Sequence, residues 1–216
     1  MSTVSATDVK SLRERTGAGM MDCKRALEAT AGNMEQAVEE LRKKGLARAA
    51  KKAQREASEG LVEAYIHADG KIGVLVELDC ETDFVARTAD FKDLAHTLAL
   101  QVAAAAPRFV SRDEVPQALL EHEASILRAQ AGNSGKPEAV LERIVEGRIE
   151  KFYGEICLLE QPFVKDPKLR VRDLVAQAVA RVGENIIVRR FSRFEVGAAA
   201  ETPSGEKIED GAGAPS

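Results

Sequence analysis

The chain is 216 residues long, 44% hydrophobic and 31% charged, with a net charge of −4. It carries enough apolar residue for a packed core, and its acidic balance argues against a protein that works mainly by neutralising phosphates along nucleic acid. No apolar run approaches the roughly 18 residues of a membrane span, and Met1 to Asp8 lack the basic start and apolar stretch of a secretion signal, so a cytoplasmic protein that uses no membrane is expected.

Residues 1–45 read as three short helices. The first carries Val9 and Leu12 on one face and stops at Thr16-Gly17, the second runs from about Met20 to Thr30, and Asn33 with Gln36 opens a third bearing Ala37, Val38 and Leu41. Between Arg42 and Arg55 lie seven basic residues in an alanine-rich stretch, so residues 46–59 are expected as a basic helical linker. Beyond Gly60 the apolar period becomes two. A three-residue loop Ala68-Asp69-Gly70 predicts a hairpin with Val62 facing Val76, Ala64 facing Val74 and Ile66 facing Ile72, which gathers one apolar face.

A helix from about Thr88 presents Phe91, Leu94, Leu98 and Val102, and further helical patterns cover 116–131 and the stretch from Pro137. Another, with Val171, Leu174, Val175, Ala178, Val179 and Val182, stops at Gly183. Residues 185–196 form a last strand that should pair with the hairpin, because two strands alone are rarely stable. The fold class is thus α+β, with a core domain over 60–196 built on a small antiparallel sheet packed with helices. The Gly-, Ala- and Pro-rich tail 197–216 is expected to be disordered.

Chemistry-bearing clusters are sparse. Cys23, Cys80 and Cys157 have no metal or disulfide spacing and read as small buried hydrophobes. His67, His96 and His122 fall on separate elements, and Gly17-Ala18-Gly19 follows a helix rather than the strand that a nucleotide loop needs. Asp79, Glu81 and Asp83 lack the glycine turn and further oxygen ligands of a calcium loop. No metal, cofactor or catalytic residue is indicated.

Two features remain. Phe84 follows the end of a strand among carboxylates, either as a core ring folded back over the sheet or as a hydrophobic wedge displayed on a loop. Met20 and Met21 are neighbours about 100° apart on a helix, so a small bundle can fully bury only one; the other is either partly exposed or an adaptable partner contact. A small RNA-associated or ubiquitin-like-binding module is an alternative that leaves Phe84 unexplained.

The segments LRERTGAGMMDCKRAL (Leu12 to Leu27), ETDFVAR (Glu81 to Arg87), SGKPE (Ser134 to Glu138), EGR (Glu146 to Arg148), QPFV (Gln161 to Val164) and GENI (Gly183 to Ile186) resemble, in wording and order, bacterial elongation factor Ts, the guanine-nucleotide exchange factor of elongation factor Tu. The resemblance implies an N-terminal three-helix module like ubiquitin-associated domains, a linker helix and an α+β core. It also implies that Thr82, Asp83, Phe84 and Val85 insert into the partner's GTPase domain and disturb its Mg²⁺ site, and that the N-terminal module touches the same domain through Leu12, Arg13, Met20 and Met21. Longer relatives carry two core subdomains and an inserted helical hairpin. This chain is similar to the short form, without that insertion, and is expected to form a homodimer, with the strand Ile186 to Val196 as an available edge.

Overall fold

The computed structural model describes residues 4–132 and 137–198. Three helices open the chain: α1 (Ala6–Thr16), α2 (Met20–Ala29) and α3 (Met34–Lys52). Next come β1 (Glu59–His67), β2 (Ile72–Cys80), the single-turn α4 (Asp83–Ala86) and α5 (Ala89–Ala105). The chain continues through α6 (Gln117–Gly132), α7 (Glu138–Ile156), a small hairpin of β3 (Pro162–Phe163) and β4 (Asp166–Arg170), α8 (Val171–Val182) and β5 (Ile186–Glu195). The expected disordered tail lies outside the described residues from position 199 onward, as do Ser134, Gly135 and Lys136 of the SGKPE stretch.

The N-terminal helices form where their end signals stand. Ser5 and Asp8 cap α1 reciprocally, Gly17 ends it in the left-handed region at φ 64°, and Asn33 accepts the Gln36 amide at the start of α3. Leu12, Cys23, Ala26, Leu27 and Ala37 are fully buried and, with Val9 and Leu41, make a small core consistent with a module of the ubiquitin-associated type.

The basic stretch from Arg42 is not a bare linker at its start. α3 runs unbroken to Lys52 and packs along α8, where Gly45 lets the two backbones approach: a β-carbon there would lie 3.8 Å from that of Ala180. Ala49 on the same helix packs against the main core. The arginines of the basic stretch are taken by the protein's own acids, Arg42 by Glu39 and Asp173, Arg48 by Asp22, and Arg55 by Glu81.

The sheet is antiparallel in the order β1-β2-β5, so β5 does pair with the hairpin. The hairpin register differs from the expectation: Val62 faces Glu77, Ala64 faces Leu75 and Ile66 faces Gly73. Asp69 and Gly70 both take positive φ at the tip, an Asp-Gly turn tighter than the three-residue loop. The physical reason lies in which face is covered. α5 and α8 cover the face bearing Val74, Val76, Leu78 and Cys80, to which β1 contributes Leu61 and Tyr65, whereas Val62, Ala64 and Ile66 look the other way. Apolar residues therefore occupy both faces of β1, and gathering them on one side chose the wrong register. A bulge in β5 skips Arg189, whose guanidinium turns to Asp79 at 2.7 Å and to the Ala57 carbonyl.

α6 and α7 pair with each other as an antiparallel helical hairpin, although no such insertion was expected. Its base is a separate small core of Val115, Ile156 and Cys157 with Leu119, Leu120, Phe152 and Tyr153 around it, and farther out Arg128 reaches Glu142 and Arg148 reaches Gln130. Buried Glu160, beneath that base, accepts from Arg112, Arg170 and Arg172, which joins the hairpin to β4 and α8.

Candidate partner-binding surface

β2 ends at Cys80, and after two intervening residues the chain makes the single helical turn of α4. A four-residue helix has almost no stability of its own, so its neighbours must hold it. The Cys80 thiol donates to the Thr82 carbonyl at 3.1 Å, the Thr88 amide and hydroxyl both donate to the Val85 carbonyl, and Arg87 pairs with Asp83 at 2.7 Å. Burial beneath the turn, with Glu184 nearby, raises the Cys80 thiol pKa to about 11, so it remains a neutral donor.

Within the turn, Ala86 is buried and Val85 packs against the main core. Phe84 stands two residues before Ala86, about 200° around the helix, and so points away from the protein. It is 79% exposed, the highest value for a large hydrophobic residue among the described residues. The ring is therefore no part of the core; leaving such a side chain in water forgoes about 1.5–3 kcal/mol of burial.

The three nearby carboxylates go to separate partners. Asp79 takes Arg189, Asp83 takes Arg87, and Glu81 accepts the Asn185 amide at 2.6 Å and faces Arg55. The hydrogen bond donated by the Asn185 backbone amide is the main reason that the Glu81 carboxyl lies below its usual range. Among the described residues no group of three or more His, Cys, Asp or Glu is placed to hold a metal ion.

The N-terminal residues divide. Met20 and Met21 are 59% and 61% exposed in the first turn of α2, outside the inward stripe of Cys23, Ala26 and Leu27, and Arg13 is exposed on α1. Leu12 is fully buried in the module core, so it has no surface with which to touch a partner. The turn between α1 and α2 is locked by the Thr16 hydroxyl, which donates to the Leu12 carbonyl and accepts from the Ala18 amide. Asp22 receives a two-pronged guanidinium from Arg48, which with Arg25 keeps its carboxyl below the usual range and fastens α2 to α3.

The turn after α8, which opens the GENI stretch at Gly183, ties these regions together, a role that sequence reasoning did not assign to it. Arg181 lies against Gly17 and reaches Asp90, in the first turn of α5, at 3.8 Å. Lys52 donates to the Gly183 carbonyl, Glu184 accepts from Thr82, and the Asn185 side chain donates to the Arg55 carbonyl. The signal for this was the helix stop at Gly183 followed by two polar residues just before a strand.

The whole defines an α+β protein in which a three-helix module and a one-turn aromatic display are held on one body. A family model described as Elongation factor TS matches residues 2–198. The chain is 63% identical over 194 residues to the elongation factor Ts of Moorella thermoacetica, covering 90% of this chain and 96% of that protein. It is 61% identical over 203 residues to that of Thermoanaerobacter sp. strain X514, covering 94% and 100%, and 60% identical over 195 residues to that of Herpetosiphon aurantiacus, covering 90% and 98%. The chain belongs to the elongation factor Ts family of translation elongation factors. No helix among the described residues is long and apolar enough to cross a membrane.

Proposed function

We propose that this protein is the guanine-nucleotide exchange factor of elongation factor Tu, acting in the cytoplasm on the GDP-bound GTPase without covalent chemistry. The observation that carries the reading is Phe84, exposed on a braced single turn with Thr82, Asp83 and Val85 around it. A GTPase of this kind holds its diphosphate through backbone amides, a lysine and Mg²⁺. A ring wedged into its nucleotide domain shifts the metal's surroundings and weakens that hold, and by linkage bound nucleotide weakens the exchange factor by the same factor. Arg13, Met20 and Met21 supply a second contact to the same domain, and flexible thioethers suit a surface that must accommodate the partner's different states. Direct nucleic-acid binding is not part of the reading, because Arg42, Arg48 and Arg55 are already paired.

The proposal includes a homodimer. On the sheet face turned away from the helices, Val62, Ile66, Leu75 and Phe194 are exposed, and opposed charges there pair with each other, Glu77 with Arg190 and Asp79 with Arg189. Such a neutral apolar face suits an identical one on a second copy.

The test of exchange is the release of labelled GDP from purified elongation factor Tu. Catalytic amounts of the protein should speed release well beyond the spontaneous rate. A rate equal to the spontaneous one sinks the reading.

A further inference from the structure

We infer that Glu184 is a positioning residue for nucleotide exchange: its carboxylate sets the direction in which the Thr82–Val85 turn presents Phe84. The inference rests on the exchange reading and extends it to a residue outside the display itself. The β2–β5 ladder ends at the pair Cys80 and Ile186. At the next two opposed positions the backbone ladder is replaced by carboxylates. Glu81 accepts the Asn185 amide at 2.6 Å, and Glu184 accepts the Thr82 amide at 3.0 Å and the Thr82 hydroxyl at 2.7 Å.

Each segment thus lends one carboxylate to the other's main chain. Thr82 is the N-cap of α4, and its own side chain makes no capping bond within that turn. Its hydroxyl is used on Glu184 instead. Two bonds from one rigid carboxylate to the amide and hydroxyl of one residue fix that residue's peptide plane, and α4 starts from that plane. Among the described residues no basic side chain forms an ion pair with Glu184, so the carboxylate is left wholly to Thr82. Phe84 makes little contact of its own with the protein, so its aim comes from the backbone that carries it.

The interaction that aims a wedge should matter to the step that the wedge performs more than to capture of the partner through the N-terminal module. Glu184→Ala is expected to lower the maximal rate of GDP release at saturating exchange factor by about tenfold, with the half-saturating concentration changed by less than about threefold. Glu184→Gln can still accept the Thr82 amide through its oxygen and donate to the hydroxyl through its nitrogen, so it should stay within about threefold of wild type. Glu184→Asp keeps the charge but is one methylene shorter; it serves as the second variant should Glu184→Ala fail to fold, and should lose most of the rate. A residue with a merely structural role would lower the melting temperature and leave both kinetic constants of the folded fraction unchanged.

Hydrogen exchange of the free protein needs no partner, so it separates this inference from the exchange reading. In Glu184→Ala the amides of residues 82–87 should exchange faster while those of α5 and β2 do not. Unchanged protection over 82–87 overturns the clamp whatever the GTPase assay gives. So does a maximal release rate in Glu184→Ala or Glu184→Asp equal to wild type, or a Gln variant as slow as the Ala variant.

Discussion

Arg181, in the last turn of α8, lays its guanidinium against Gly17, so that a β-carbon built on Gly17 would sit 2.8 Å from its Nε. Gly17 also holds φ 64°, where any other L-residue is strained. Gly17→Ala should therefore destabilise the fold by about 1 kcal/mol or more from the backbone alone, and should displace Arg181 from its position beside Asp90. Denaturant titration measures the first effect. Adding Arg181→Ala should recover only the steric part, leaving the backbone part in place.

Phe84→Ala should leave the melting temperature close to wild type, because the ring is outside the core. GDP release from elongation factor Tu should slow by an order of magnitude or more, the range of a central aromatic contact worth about 2 kcal/mol. Asp83→Ala should cost less, since that carboxylate is shared with Arg87 at the rim of the display.

Leu12 and the methionine pair should behave oppositely. Leu12→Ala removes a fully buried side chain and should cost about 2–5 kcal/mol of stability. Met20→Ala with Met21→Ala should leave stability within about 0.5 kcal/mol per site. The same double variant should raise the concentration needed for half-maximal exchange, as expected for contacts that capture a partner.

Cys23, Cys80 and Cys157 are all buried, and burial raises each thiol pKa, to about 11 for Cys80 and Cys157. A thiol reagent at pH 8 should find almost no fast-reacting groups in the native protein and all three in denaturant. The unfolded thiols ionise near their ordinary value of 9.0, below the folded ones, so this contribution to stability is full at neutral pH and is lost as pH rises from about 9 through 11. Melting temperatures measured across that interval should fall with pH.

Ile66→Glu puts a charge on the open sheet face, opposite Gly73 and two positions along the strand from the pair of Ala64 and Leu75. Light scattering should give the mass of two chains for wild type and of one for the variant, with far-ultraviolet circular dichroism unchanged. Two chains in both would show that the open face is not the contact.

What the sequence discloses follows the range of the forces involved. Helix ends at Gly17, Asn33 and Gly183 are set by residues within one turn, and these could be read directly. Phe84 could be singled out but not resolved between core and display, because that depends on what covers the sheet. The hairpin register failed for the same reason: β1 has apolar residues on both faces, and only the placement of α5 and α8 says which is inside. Glu184 and Thr82 are 102 positions apart and meet only because β5 pairs with β2, so the polar residues after the Gly183 stop marked the segment without naming its partner. The pairing of α6 with α7 was equally a matter of tertiary contact.

α3 belongs at once to the N-terminal bundle, through Ala37 and Leu41, and to the layer against α8, through Gly45 and Ala49. One rod shared by two bodies cannot bend like a tether between them. The rotational freedom that a swivelling module would surrender at every encounter is here lost once, when the chain folds, so in the proposed complex both ends of the protein would meet the target already in register.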